Sequence, residues 1–517
     1  MATTFVGFAI VQSALEAMQE AVNVAGQNVA NATTPGYSRE RAQLVTEPTV
    51  VQAGTGGPVT DAVLGTGVNI ANVERVVESY LNAAVRNAQS NASYQDQVVA
   101  FLQNAQSLYN EPGANGLSST MQKFFTDLAT LSQDPQSSAA RAVVGQDAAN
   151  VAAQFNTLAS GLSQLGTALE GDLATQVGQV NQALSQVASL NQEIQNAQIQ
   201  GMSANSLLDQ RDQILAQLSQ SMAIQVGTDA SGNLTVTDAA TGALLVDGQS
   251  YGQLATNGTL GGVAAAAWQV VEQGLPTTPG GAAPPAALAD ITSGQIGADL
   301  TLLGGTAYPA GTTPPAYFGA LAPPGSSAYG QSLQAGLDQV AATLAGAINA
   351  LQLNGYYLDS SGSPVSAASP PVPFFINGAA ATQTNPPSGI GAANLAVNPA
   401  ILSAPYEIAA AQTASAGDGS NALAMADYGQ STQPSAAVPL YSGQVSALGV
   451  QVAAALSQQT TNKSLLTQAK NMQQSVSGVS LNEEFANLTQ YQDVYTAAAK
   501  AMGAMQTMLA TLLSVVP

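Results

Sequence analysis

Cysteine and histidine are both absent from the 517 residues. Without cysteine the chain can form no disulfide, thiolate metal site, iron–sulfur cluster or cysteine nucleophile. Without histidine it lacks the commonest general base, the usual transition-metal ligand and any Ser-His-Asp relay. Charge is scarce too, at 8% of residues, and aromatics make up 5%. The 10 Lys+Arg face 31 Asp+Glu, leaving a net charge of -21. Such a surface is repelled by phosphate backbones and anionic membranes alike, so no nucleic-acid partner is expected. No apolar run nears the ~18 residues of a membrane span, so no membrane insertion is expected either. The first basic residue is Arg39, which argues against a cleavable secretory signal. Only carboxylate, Ser/Lys or Tyr enzyme designs stay open; no cofactor or metal is expected and catalysis is disfavoured.

Apolar residues reach 46%, and the length suits roughly three domains of about 150 residues each. Near the N-terminus Phe8, Val11, Leu15, Met18, Val22, Ala25 and Val29 recur in alternating steps of three and four, an a/d seam on one helix face. Ala14, Ala17, Ala21 and Val24 widen it, and Pro35-Gly36 ends it. The C-terminal stretch repeats the pattern in Leu488, Tyr491, Tyr495, Ala498, Met502, Met505, Leu509, Leu512 and Val516. Gly7 and Gly26 weaken the first helix by about 1 kcal/mol each relative to alanine. Isolated helices are marginal in water, so these ends are expected to fold against copies or partners.

Between the ends, residues 70–222 read as helical throughout, including a heptad run from Val151 to Ile194 long enough for a rod. At about residue 223 the period shortens: Ile224–Val226, Leu234–Val236 and Leu244–Val246, separated by turn residues, predict a β-meander. Nineteen of the 25 prolines fall between Pro276 and Pro439, marking an insert of loops and short strands, interrupted by a helix through Leu333–Leu351. The expected fold class is therefore mainly α, with discontinuous nested domains. Residues 1–32 plus 481–517 form a terminal coiled-coil assembly domain. Residues 33–222 plus 331–353 and 411–480 form a helical inner domain, a long-helix bundle. Residues 223–330 and 354–410 form a β-rich, loop-rich outer insert, where deletions should be tolerated.

Glu483-Glu484 is the one adjacent carboxylate pair with an enzyme reading. Neighbours on a helix point about 100° apart and would not face one substrate. Ser480 three residues before Glu483 offers a capping box instead. Asp229-x-Ser231-Gly232-Asn233 lacks the spacing and terminal Glu of a calcium loop and reads as a hairpin turn.

The segment from Asn28 through Asn31, Thr34, Pro35, Gly36 and Tyr37 to Ser38-Arg39, directly after the N-terminal heptads, resembles the signature of bacterial flagellar axial proteins of the rod, hook and hook-associated type. The Tyr-Ser-Arg continuation is most similar to the hook-associated protein 1 family. Val476–Glu484 with Asn487-Leu488 and Tyr491-Gln492, Asn205–Asp212, Gly65–Val68 and Gly417–Asn421 resemble that family as well. The resemblance spans about residues 1–225 and 411–517. It implies a structural subunit, not an enzyme, forming a layer at the hook–filament junction of the flagellum. Such a subunit would be exported unfolded through the flagellar channel without a cleaved signal. Its implied partners are the hook protein, a second junction protein, copies of itself in a helical layer, and a cytosolic export chaperone holding the C-terminal helix. A rod- or hook-type subunit is the alternative within this class; a secreted carboxylate hydrolase is the alternative outside it.

Overall fold

The structure is a computed structural model that describes residues 2–47, 50–51, 63–64, 67–230, 232–240, 242–255, 269–271, 291–303, 329–365, 371–380 and 387–515. Gly65, Thr66, Ser231, Pro276 and Val516, all singled out above, lie outside the described residues. The chain opens with helix α1 (Ala2–Asn31), followed by strands β1 (Glu40–Thr46), β2 (Val50–Val51), β3 (Val63–Leu64) and β4 (Val68–Arg75). β1 pairs antiparallel with β4, Glu40 opposite Arg75 and Thr46 opposite Val68, and β2 pairs with β3 inside that hairpin. Residues 70–75 are thus strand, where the sequence reading expects helix. Val68, Asn69 and Ile70 alternate only briefly before the register shifts at Ala71, too short a period-two signal to stand apart from the helical run that follows it.

A body of long helices comes next: α2 (Ser79–Tyr109), α3 (Leu117–Gln133), α4 (Ser138–Ile199) and α5 (Asn205–Ser221). Ser137 caps α4, its Oγ accepting from the Ala140 N–H at 3.2 Å. At 62 residues α4 is on the order of 90 Å long. Its first half buries Val151, Phe155, Leu158 and Leu162 in one core. Its second half buries Leu173, Val177, Val180 and Leu184 in another. The second core is closed by α5 and by the antiparallel meander β5 (Ile224–Thr228), β6 (Leu234–Asp238), β7 (Leu244–Asp247) and β8 (Ser250–Tyr251), the pattern expected from the sequence. β9 (Gln253–Ala255) pairs with β10 (Gln269–Val271).

The described residues beyond the meander include elements that return to the helical body. Helix α6 (Gly294–Leu303) is buried along nearly its whole length, with Ile296 and Leu300 in the second core and Ala298 and Leu302 in the first. Next come α7 (Tyr329–Asn354), β11 (Phe375–Asn377), β12 (Leu395–Val397) and α8 (Pro399–Ser403). Composition assigns residues 354–410 to an outer insert, yet Phe374, Phe375, Leu395, Val397, Ile401 and Ile408 of this segment lie in the first core. Phe374 and Phe375 are fully buried against Phe124, with ring centroids 5.9 and 6.1 Å away. Asn349 on α7 pairs with the Phe375 backbone in both directions at 2.8 Å. Arg141 on α4 donates to the carbonyls of Tyr406 at 3.1 Å and Ile408 at 2.6 Å, and burial lowers its pKa to about 10. Proline richness gives this segment irregular backbone, while its Phe and Ile side chains supply the apolar area that places it inside.

The return path is α9 (Ser420–Gly429), α10 (Ala437–Ser477) and α11 (Leu481–Val515). α10 runs antiparallel along α2, tied by Gln473 to Asn82 at 2.6 Å and Gln459 to Asp96 at 2.8 Å. Among the described residues no helix is long and apolar enough to cross a membrane.

Candidate assembly site

The two ends of the chain fold against each other. A Cβ placed on Gly7 would sit 3.4 Å from Met505 Cε, while Asn28 at the far end of α1 reaches Glu484 at the start of α11. The helices are therefore antiparallel. Along α1 the seam residues Met18 and Ala25 are buried, Val11, Leu15, Val22 and Val29 are half-buried, and Phe8 is exposed. On α11 Leu488, Tyr491, Ala498, Met502 and Met505 are half-buried, while Tyr495 and Leu509 are exposed. Leu512 belongs to the helix, and its side chain lies outside what is described. The widening residues Ala17, Ala21 and Val24 are buried. They lie between Ser13, which accepts from the Val68 N–H at 3.3 Å, and Asn28, which bonds to the Glu40 backbone. α1 thus packs on two sides, α11 on one and the β1–β4 hairpin on the other. Small residues let the strands approach. Among the described residues α11 has no such second neighbour: Phe485 is 57% and Met508 54% exposed.

The Asn28–Arg39 segment closes the pair as a polar clamp. Asn28 is buried, and its Nδ2 donates to Glu40 O at 2.8 Å and to Glu484 Oε2 at 3.2 Å. Its Oδ1 accepts from the Glu40 N–H and from Tyr37 Oη, both at 2.9 Å. Gly36, at φ 82°, turns the chain so that Tyr37 can fold back on the helix it follows. Burial, reinforced by the Glu40, Asp209 and Glu484 carboxylates, pushes the Tyr37 phenol above its ordinary pKa, so it remains a neutral donor. Burial likewise raises Glu40. Arg39 spans both C-terminal carboxylates: Nη1 to Glu483 Oε2 at 2.7 Å and Nε to Glu484 Oε1 at 2.8 Å. Its backbone N–H donates to Ser477 O at 2.9 Å. Asn31 and Thr34 bond only locally, Asn31 to Gln27 O at 3.0 Å and Thr34 Oγ1 to Asn31 at 3.3 Å.

The capping reading of Glu483 needs correction. Ser480 Oγ accepts from the Glu483 N–H at a long 3.5 Å, and the Glu483 carboxylate turns to Arg39 instead of back to the cap. One planar guanidinium between them engages both carboxylates although they diverge on the helix. A second tie was not foreseen from chemistry at all. Asp209 on α5 accepts from the Ser38 N–H at 3.1 Å and from Arg75 at 2.7 Å; Asp212 also takes Arg75, at 3.0 Å. The available signal was the scarcity of cations. With ten in the whole chain, an arginine beside a motif marks where carboxylates must converge.

Residues 102–365 match the family described as Flagellar hook-associated protein FlgK helical domain, and residues 465–515 match the family described as Flagellar basal body rod FlgEFG protein C-terminal. Flagellar hook-associated protein 1 of Bacillus subtilis (strain 168) is 28% identical over 527 aligned positions, covering 97% of this chain and 96% of that protein. Flagellar hook-associated protein 1 of Escherichia coli (strain K12) is 30% identical over 47% of this chain and 43% of its own. Among solved structures, the flagellar hook junction protein FlgK from Burkholderia pseudomallei superposes with a TM-score of 0.55 at 18% identity, covering 76% of this chain and 100% of that one.

Proposed function

The chain belongs to the flagellar hook-associated protein FlgK family, and from this premise we propose that it works as a structural subunit joining hook to filament, assembling through its paired terminal helices. Its role in the flagellum is structural. The helical-domain match over residues 102–365 favours this over a rod- or hook-type subunit, with which it shares the C-terminal match. The carboxylate-hydrolase alternative loses its best pair, because Glu483 and Glu484 are both engaged by Arg39.

The observation that carries the reading is the α1–α11 pair itself. It is locked at one end by the clamp, yet leaves Phe485, Val494 and Met508 open to water. Buried large apolar side chains each contribute roughly 1.5–3 kcal/mol, which a neighbouring subunit would realise. A heterologous contact of this kind, repeated without closing, generates a helical layer. The hook protein on one side, the second junction protein on the other, and copies of the chain laterally are the partners. The bare face of α11 is where an export chaperone would hold the unassembled chain, which leaves the cell unfolded and without a cleaved signal. Immunogold labelling of isolated flagella tests the placement: one labelled band between hook and filament is expected, and label along the filament or the rod would overturn it.

A further inference from the structure

Most of the ten cations are committed. Arg39, Arg41, Arg75, Lys123 and Lys463 are in ion pairs. Arg141 is spent on carbonyls, and Arg211 donates to Asn191 at 2.9 Å. Among the described residues the side chains of Arg86, Lys470 and Lys500 make no hydrogen bond or ion pair. Two of those three line the same cleft, of ≈ 1020 Å³, walled by the 32–39 loop, α2, α5 and the end of α10. Lys470 is exposed at its rim. Arg86 is more than nine-tenths buried, and its Nε has no partner. Burial lowers its pKa, and the facing carboxylate of Asp212 is already held by Arg75.

A buried guanidinium without a partner is costly, and a folded chain keeps one where something else completes it. The remaining walls include the amides of Gln89, Gln213 and Gln217, which can donate to an anion without adding charge. The cleft's other charges are held in ion pairs, Arg39 with Glu483 and Asp212 with Arg75, so Arg86 and Lys470 are left to fit a carboxylate rather than a polyanion, which a chain of net charge -21 repels. On the terminal pair the carboxylates without a cation are Glu16, Glu20 and Asp493, all exposed. Resting on the junction-subunit reading above, we propose that this cleft is an acceptor for one such carboxylate from a second copy of this chain, gripped by Arg86 with Lys470 at the entrance. Subunits this acidic need local complementarity to sit side by side. The cleft supplies it next to the clamp that sets the terminal pair.

The test uses the full chain, expressed in place of the native gene. Arg86→Gln and Arg86→Glu should leave the monomer folded, with the Arg86→Gln melting temperature equal to or above wild type, because an uncompensated buried charge has been removed. Both should load onto isolated hook–basal bodies at least about tenfold less, with Arg86→Lys intermediate. A merely structural arginine would instead lower the monomer's melting temperature, and that result overturns the proposal. Because the chain has no cysteine, Gln217→Cys carries a single benzophenone-maleimide into the cleft. Photo-crosslinked hook ends should yield a dimer of this chain; a crosslink to a hook-sized subunit, or none, overturns the second copy as occupant. If wild type itself fails to load on hook ends, the junction reading falls and takes this with it. If wild type and Arg86→Glu load equally, this proposal alone falls.

Discussion

Asn28→Ala removes the residue at the centre of the clamp. Four hydrogen bonds are lost: two donated by the amide, to Glu40 O and Glu484 Oε2, and two accepted, from the Glu40 N–H and Tyr37 Oη. An intramolecular hydrogen bond contributes about 1 kcal/mol net, and each buried group left unpaired costs about 1–3 kcal/mol. Water entering the vacated site recovers part of this, since the cleft lies alongside, so the loss should be roughly 3 kcal/mol. It falls on the α1–α11 pair and not on the helical cores, which share no residue with it. Hydrogen exchange should therefore accelerate by roughly a hundredfold across residues 15–31 and 484–500, while α3 and the first half of α4 keep their protection. Asn31→Ala, three residues on in the same motif, deletes only local bonds to Gln27 and Thr34 and should cost under about 0.5 kcal/mol. Equal acceleration in the two variants would refute the assignment of the clamp to Asn28.

Met502→Lys places an ammonium on the half-buried seam of α11 and should weaken the terminal pair by roughly 1–2 kcal/mol, less than a fully buried charge would; cells carrying it should shed filament subunits into the medium, whereas cells with Thr507→Lys, on the exposed face, should swim. Asp299 is fully buried between Gln97 at 2.7 Å and Gln176 at 2.9 Å, and burial pushes its pKa up to about 7. A carboxyl raised in the folded state contributes stability fully below its unfolded value of 3.8 and loses it as pH rises through about 7. Asp299→Asn should therefore gain up to about 4 kcal/mol at pH 8 and nothing at pH 4, the Gln176 amide rotating so that its unpaired Oε1 accepts from the new amide; melting curves at the two pH values that shift alike would contradict this. Phe375→Ala should lower stability by about 3–5 kcal/mol, measured by chemical denaturation, and replacing residues 371–408 with a flexible linker should abolish folding rather than be tolerated.

The long helices were legible because their apolar residues keep one period over many turns: Val151, Phe155, Leu158 and Leu162 point to one side wherever the rest of the chain goes. The meander was legible from its turns. The β4 strand was lost because one short, briefly alternating stretch precedes a helix of 31 residues. The buried segment around Phe374-Phe375 was lost for a different reason. Proline density reports backbone irregularity, whereas burial depends on which apolar side chains the irregular backbone carries. At the assembly site the seam residues could be read off as a pattern, but the clamp could not. Nothing in the spacing of Arg39 and Glu483 says that they meet; only the pairing of the two ends, a tertiary fact, brings them within 2.7 Å.

The partner that completes Asn28 lies 456 residues downstream. A ribosome that has made α1 must therefore finish almost the entire chain before that helix can acquire its lock. Any product broken off before residue 483 presents an α1 seam with no α11 and an Arg39 with no carboxylates. The clamp is thus satisfied only when α1, Arg39 and the start of α11 are all present. Fragments that fold their cores correctly would still carry an open end, visible to proteases and unable to take a place in an assembly that reads the paired ends.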